Sequence, residues 1–248
     1  MAQPRRRKPR SYSALEDLGR VRLSRHFYMR DFLYSEIGNF FGLPNIPDDP
    51  NLAIAAGQGL CQNLLDPLTE TFGPIAVRSA YRSPSLNHFG ATQAKPQRCA
   101  RNEANYAHHI WDIRDAQGRM GACASIVVPW FADQYDEGRD WRDLAYWVHD
   151  HLPYHEMYFF PKLAAFNLTW REEPARTISS YVVPRGKLVH PGHPPPEDHA
   201  ERAARYADFP PFCGINYPVT IHSVPRPVLT GPEISPPEAS TAQPGPTP

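Results

Sequence analysis

Apolar residues recur at helical spacing most clearly between Asn51 and Phe72. Leu52, Ala55, Leu60, Leu64, Leu65, Leu68 and Phe72 make one face there, and Gly73-Pro74 ends the run. Upstream, Ser13 followed three residues later by Glu16 is a capping-box pattern and predicts a short helix over SALEDLGR. A further helix is expected over Met29 to Phe41, faced by Phe32, Leu33, Ile37, Phe40 and Phe41, before GLPNIPDDP breaks it. IAVRSAY, Ile75 to Tyr81, alternates as a half-buried strand does. A long loop from Arg82 to about Asn102 follows, then a second strand from Tyr106 to Ile113. Ala122 to Tyr135 and Trp141 to His151 are expected as helical stretches, Pro129 interrupting the first. Tyr154 to Phe160 and Phe166 to Trp170 form a strand pair, and Thr177 to Val183 another strand. Helix, strands, helix, strands in that order imply an α+β domain with a mainly antiparallel sheet packed against helices.

The two ends read differently. Residues 1–12 carry RRRKPR and are expected as a disordered basic arm ahead of a domain over 13–183. Residues 184–224 are a proline-rich, extended stretch in which Ala200 to Tyr206 has two turns' worth of helix formers. Residues 225–248, PRPVLTGPEISPPEASTAQPGPTP, hold too little apolar surface to offset chain entropy and read as a disordered tail. Composition adds exclusions. Lys+Arg 26 against Asp+Glu 26 leaves no net charge, so no nucleic-acid partner is expected. No run nears the ~18 apolar residues that span a bilayer, and no apolar stretch follows the basic arm. The chain is therefore read as having no signal peptide and no membrane partner, and as cytoplasmic. Cys61, Cys99, Cys123 and Cys213 form no CxxC pair, which predicts free thiols rather than a thiolate zinc site.

Chemistry concentrates in three segments: SAYRSPSLN (Ser79 to Asn87), ANYAHHIWDIRD (Ala104 to Asp115) and AAFNLTW (Ala164 to Trp170). Together they resemble the M15 peptidases, the zinc D-alanyl-D-alanine carboxypeptidases and related peptidoglycan endopeptidases, over residues 27 to about 182. The resemblance implies that Arg82, with Tyr81 beside it, meets the carboxylate of a peptide terminus, for which a guanidinium fork is suited. The competing reading pairs Arg82 with a structural acid. Carried onto this chain, the family's zinc ligands fall on Asn105, Asp112 and Asn167, and its general base on Ala164. Amide oxygens are poor zinc donors and an alanine takes no proton, so the resemblance implies a degenerate metal site with no cofactor. That points to an inactive domain binding a peptidoglycan peptide or a protein partner, of phage or prophage origin and then virion-associated. The alternative is an active zinc D,D-peptidase with rearranged ligands His108, Asp112 and His155 and with Glu156 as base. His149 and His151 are read as helix C-terminal residues, and His190, His193 and His199 as a solvated loop.

Overall fold

The computed structural model describes residues 6–94 and 99–216. Its centre is a six-stranded sheet in the order β1-β2-β4-β3-β5-β6, antiparallel except where β3 runs parallel to β5. The strands are β1 Ala76–Ser79, β2 Gly121–Val127, β3 Glu156–Phe159, β4 Phe166–Arg171, β5 Thr177–Ser180 and β6 Gly186–Val189. The helices are α1 Tyr12–Gly19, α2 Glu36–Phe41, α3 Pro50–Leu60, α4 Asp66–Phe72, α5 Pro84–Thr92, α6 Pro129–Asp136, α7 Trp141–His151 and α8 His199–Arg205. The α+β class expected from the pattern is the class observed.

Side chains alternate across the sheet, so its pairing register sorts them onto two faces. Ala122 faces Trp170, Ala124 faces Leu168 and Ile126 faces Phe166. Met157 and Phe159 continue that row on β3. All of them are buried in the main core, under the helical layer. α3 packs close enough to β4 that a Cβ on Gly59 would lie 2.4 Å from the Trp170 ring. The opposite face carries Cys123 and Ser125 on β2, Asn167, Thr169 and Arg171 on β4, and Glu156 and Tyr158 on β3. One face is a core. The other is polar.

The long helix expected over Asn51 to Phe72 is present but not uniform. Between α3 and α4 lies a π-helical segment, Cys61–Leu65, in which the Asp66 N–H donates to the Cys61 carbonyl. Pro67 explains the slip, because it has no N–H to offer the carbonyl four residues back. Asp49 caps the start, accepting from the N–H groups of Asn51 and Leu52.

Other expectations need correction. Ser11, not Ser13, caps α1, accepting from Ala14 N–H. Met29–Phe32 is a short 3-10 turn separated from α2, whose cap is Ser35. The loop after Arg82 contains α5, capped by Ser83 and opened by Pro84, a favoured first helical residue. Ala122 to Tyr135 is not one helix. Its first half is β2, a central strand, and Val128-Pro129 marks the change to α6. Tyr106 to Ile113 is not a strand but a set of turns with a single bridge between Tyr106 and Ile110.

The boundary at 183 does not end the folded unit. β6 pairs with β5, and α8 packs along α7. Arg202 donates to both carboxylate oxygens of Asp150 on α7, and Tyr206 donates to it at 2.8 Å. Residues 6–12 are docked rather than loose. Pro9 is buried, and Lys8 pairs with Asp48 at 2.5 Å. The remaining expectations for residues 1–5 and 225–248 lie outside the described residues. No described cysteine is disulfide-bonded. No helix among the described residues is long and apolar enough to cross a membrane.

Candidate functional site

The turns at 104–113 fill the gap that opens between β1 and the first half of β2. β1 pairs with β2 only from Ser125 to Val127. Beyond that point the His108 carbonyl accepts from Cys123 N–H at 2.9 Å, and the His109 carbonyl accepts from Arg82 N–H at 2.8 Å. Two features let the turn enter. Ala107 adopts φ +50, and Gly121 has no side chain where the Ala107 carbonyl passes, 2.5 Å from the place of a Cβ. Trp111 pins the turn from beneath. It is fully buried against Phe32 and Tyr81 and donates its indole N–H to the Cys123 carbonyl at 3.2 Å.

This wedge brings His108, His109 and Cys123 together, with one side-chain donor atom from each lying within 4.8 Å of the others. His109 is oriented by the backbone, its Nδ1 sitting 2.7 Å from the Ala80 carbonyl. A carbonyl only accepts, so Nδ1 carries the proton and Nε2 is left with a lone pair. That Nε2 lies 3.8 Å from Cys123 Sγ. His108 Nδ1 is shielded from solvent and has no hydrogen-bond partner. The two imidazole rings are 4.8 Å apart and nearly perpendicular.

Burial dominates the electrostatics. It drives His108 down to about 3, with Arg82, Arg171 and His155 adding to the shift, and it holds His109 well below the usual imidazole range. Burial also pushes the Cys123 thiol up to about 12, against the favourable pull of Thr169, Arg82 and Arg171. Both imidazoles are therefore neutral and the thiol keeps its proton. A nucleophilic cysteine needs the reverse, a thiolate favoured by its partner, so the Cys123–His109 pair is not an activated dyad. Glu156 borders the same face, its carboxyl raised by burial and pulled down by Arg171 and Lys187.

The residues named from the resemblance are placed as follows. Asn105 is buried, and its Nδ2 donates to the carbonyls of Ala100 and Arg101, each at 3.1 Å. Asn167 lies on β4, where its Oδ1 accepts from the Ser125 hydroxyl. Asp112 Oδ2 accepts from Asp48 N–H at 2.7 Å and tethers the start of α3. Burial raises the Asp112 carboxyl to about 6 despite that bond. Each of the three bonds to a different segment, and they share no partner. Asp112 Oδ1 is buried without a hydrogen-bond partner, but the other two positions offer zinc only a neutral amide oxygen, which is a poor donor. Ala164 falls in the turn between β3 and β4, at φ +45 and buried, off the polar face.

The alternative set is also dispersed. His155 Nδ1 accepts from Ala175 N–H at 3.1 Å, and Asp112 is held against α3. Only His108 of that set enters the observed cluster. His109 and Cys123 were not foreseen as site residues. The adjacent HH pair was the one available sequence signal, and nothing in the spacing linked it to a cysteine fourteen residues on.

Arg82 sits at the end of β1 beside this cluster. Its Nη1 donates to Cys99 Sγ at 2.8 Å, while its Nε–H has no partner. Among the described residues no carboxylate lies within ion-pair distance of it. Tyr81 is fully buried, with its hydroxyl close enough to Asp112 to favour the ionised carboxylate though not in good hydrogen-bond geometry. No protein-family model, curated protein or solved structure matches the chain.

Proposed function

We propose that the chain is an M15-type domain without hydrolytic activity, a binding module that takes the C-terminal carboxylate of a peptide on Arg82. The observation that carries this reading is a guanidinium without a carboxylate partner among the described residues. A partly buried Arg82 with an orphan Nε–H, bonded to Cys99 Sγ and to no carboxylate among the described residues, lacks the structural acid that a purely packing role would give it. An incoming carboxylate would meet that donor and the charge together. The neutral amides of Asn105 and Asn167, both hydrogen-bonded within the fold, and the placement of Ala164 in a turn support the absence of hydrolysis. A peptidoglycan stem peptide ending in D-alanine is the ligand class this reading favours, with a protein C-terminus as the second. The setting that follows is a virion or another assembly facing a bacterial wall.

Titration calorimetry with an acylated D-Ala-D-Ala peptide and its C-terminal amide tests this. The acid should bind, the amide should bind at least 10-fold more weakly, and Arg82→Gln should remove the preference. Equal binding of acid and amide, or a preference surviving in Arg82→Gln, would sink the proposal. Turnover of the peptide by the purified protein would refute the inactive reading specifically.

A further inference from the structure

We infer that His108, His109 and Cys123 form a mononuclear zinc site, built from residues distinct from the three positions the peptidase resemblance points to. The donor set is two imidazoles and one thiolate, which suits a borderline-soft d10 dication better than magnesium or calcium. Zn–N bonds of about 2.0–2.1 Å and a Zn–S bond of about 2.3 Å place tetrahedral ligand atoms roughly 3.3–3.6 Å apart. The observed Nε2 to Sγ distance of 3.8 Å is close to that, and the whole set lies within 4.8 Å. Side-chain adjustment of under about 1 Å closes the remaining gap.

Three further features favour an ion there. His109 is held as metal-binding histidines usually are, with the far ring nitrogen donating to a backbone carbonyl, which fixes Nε2 as the ligand atom. His108 Nδ1 is an orphan, a buried polar atom without any partner in the protein. The backbone that carries the cluster is also anchored from three sides, by Arg82, by Cys123 and by the buried Trp111. Among the described residues no other group of three His, Cys, Asp or Glu side chains gathers as tightly.

Binding exchanges the Sγ proton for the metal, so one proton leaves for each ion taken up. Protein supplies three ligands, which leaves the fourth position to a water on the polar face that carries Cys123. There Glu156 pairs with Thr169, which pairs with Cys123, all pointing the same way. Two strand spacings of about 4.8 Å separate Glu156 from Cys123, so its carboxylate is suited to hold a metal-bound water rather than to ligate. Met157 points to the core face, so no thioether is offered as an axial ligand of the blue-copper kind.

The test uses the full chain with metal alone and no peptide, so its outcome is independent of the Arg82 reading. Metal-free protein is titrated with Zn²⁺, and in parallel with Co²⁺, whose thiolate ligation gives a near-ultraviolet charge-transfer band. One equivalent should bind, with the cobalt band present. Cys123→Ala should abolish the band and weaken zinc at least 100-fold, and His109→Ala should weaken zinc comparably. Cys61→Ala and Cys99→Ala should leave both unchanged, with circular dichroism checking the fold of every variant. Absence of stoichiometric zinc from folded wild-type protein would overturn the site. So would zinc that survives in Cys123→Ala but is lost in His190→Ala with His193→Ala, since those two rings lie 4.3 Å apart in an exposed loop.

Discussion

Asp112→Asn separates a carboxylate kept for metal from one kept for the fold. The carboxyl of Asp112 is raised from 3.8 to about 6, chiefly by burial, with the N–H of Asp48 and the nearby Tyr81 hydroxyl opposing the shift. At neutral pH the group is ionised in a site that prefers it neutral. A shift of about two units corresponds to roughly 3 kcal/mol, the ceiling of what an uncharged isostere recovers. The sign follows from proton binding. Between pH 3.8 and 6 the folded state holds more of this proton than the unfolded state, so stability is full below the lower value and is lost as pH rises through the upper one. In the variant, the amide oxygen keeps the bond from Asp48 and the amide N–H₂ takes the place of the unpartnered Oδ1 beside the Tyr81 hydroxyl. Weakening of the charge-assisted bond takes back about 1 kcal/mol, leaving a net gain of about 1–2 kcal/mol at pH 7. Urea unfolding at pH 4 and pH 7 reads it: the variant should gain at pH 7 and show little difference at pH 4. Zinc uptake should be unchanged. A loss of more than 1 kcal/mol at pH 7 would refute the reasoning about burial, and loss of zinc would return Asp112 to the ligand set.

Two other changes probe what holds the site in place. Gly59→Ala puts a methyl 2.4–2.5 Å from three atoms of the buried Trp170 ring and should cost about 1–3 kcal/mol in denaturant unfolding, since neither α3 nor β4 can retreat freely. Asp150→Asn should loosen α8, because burial of that carboxylate is outweighed by donation from Arg202 and Tyr206, which leaves its pKa lowered. The expected loss is about 1–3 kcal/mol at pH 7, present above the unfolded pKa and fading as pH falls through the folded one. Faster proteolytic cutting between Val189 and Asp198 in the variant is the second readout.

Local signals served well where local forces decide. The strand pair flanking 160–165, helix α7 and the run from Asn51 to Phe72 each follow from periodicity. Inside that run the slip to π geometry turns on a single proline, which a face-counting argument overlooks. β2 failed for a different reason. GACASIVV is a short, nearly continuous apolar run of small residues, and periodicity does not distinguish a buried central strand from a buried helix. β2 itself, Gly121–Val127, is buried at six of its seven positions, so no alternation shows.

The candidate site was hidden for a deeper reason. His108 and His109 are adjacent and sit in turns, and their carbonyls accept from Cys123 and Arg82 respectively. Neither partner is local, and both are chosen by the way β1 and β2 splay apart. Cys123 by itself looks like any small buried residue in a core strand. Its neighbour across the sheet gap becomes His109 only because Gly121 leaves room for the Ala107 carbonyl and Trp111 fills the space beneath. The spacing that defines a sequence motif therefore says nothing about this cluster, whereas the turn, the glycine and the tryptophan specify it jointly. That dependence supplies its own check. Gly121→Ala brings a methyl against the carbonyls of Ala107 and Trp170, at 2.5 and 2.8 Å, its nearest contacts being backbone atoms and none of the three donor side chains. If the wedge creates the site, this variant should lose zinc affinity far more than its stability loss predicts. If His108, His109 and Cys123 were brought together by the sheet alone, affinity would survive the change.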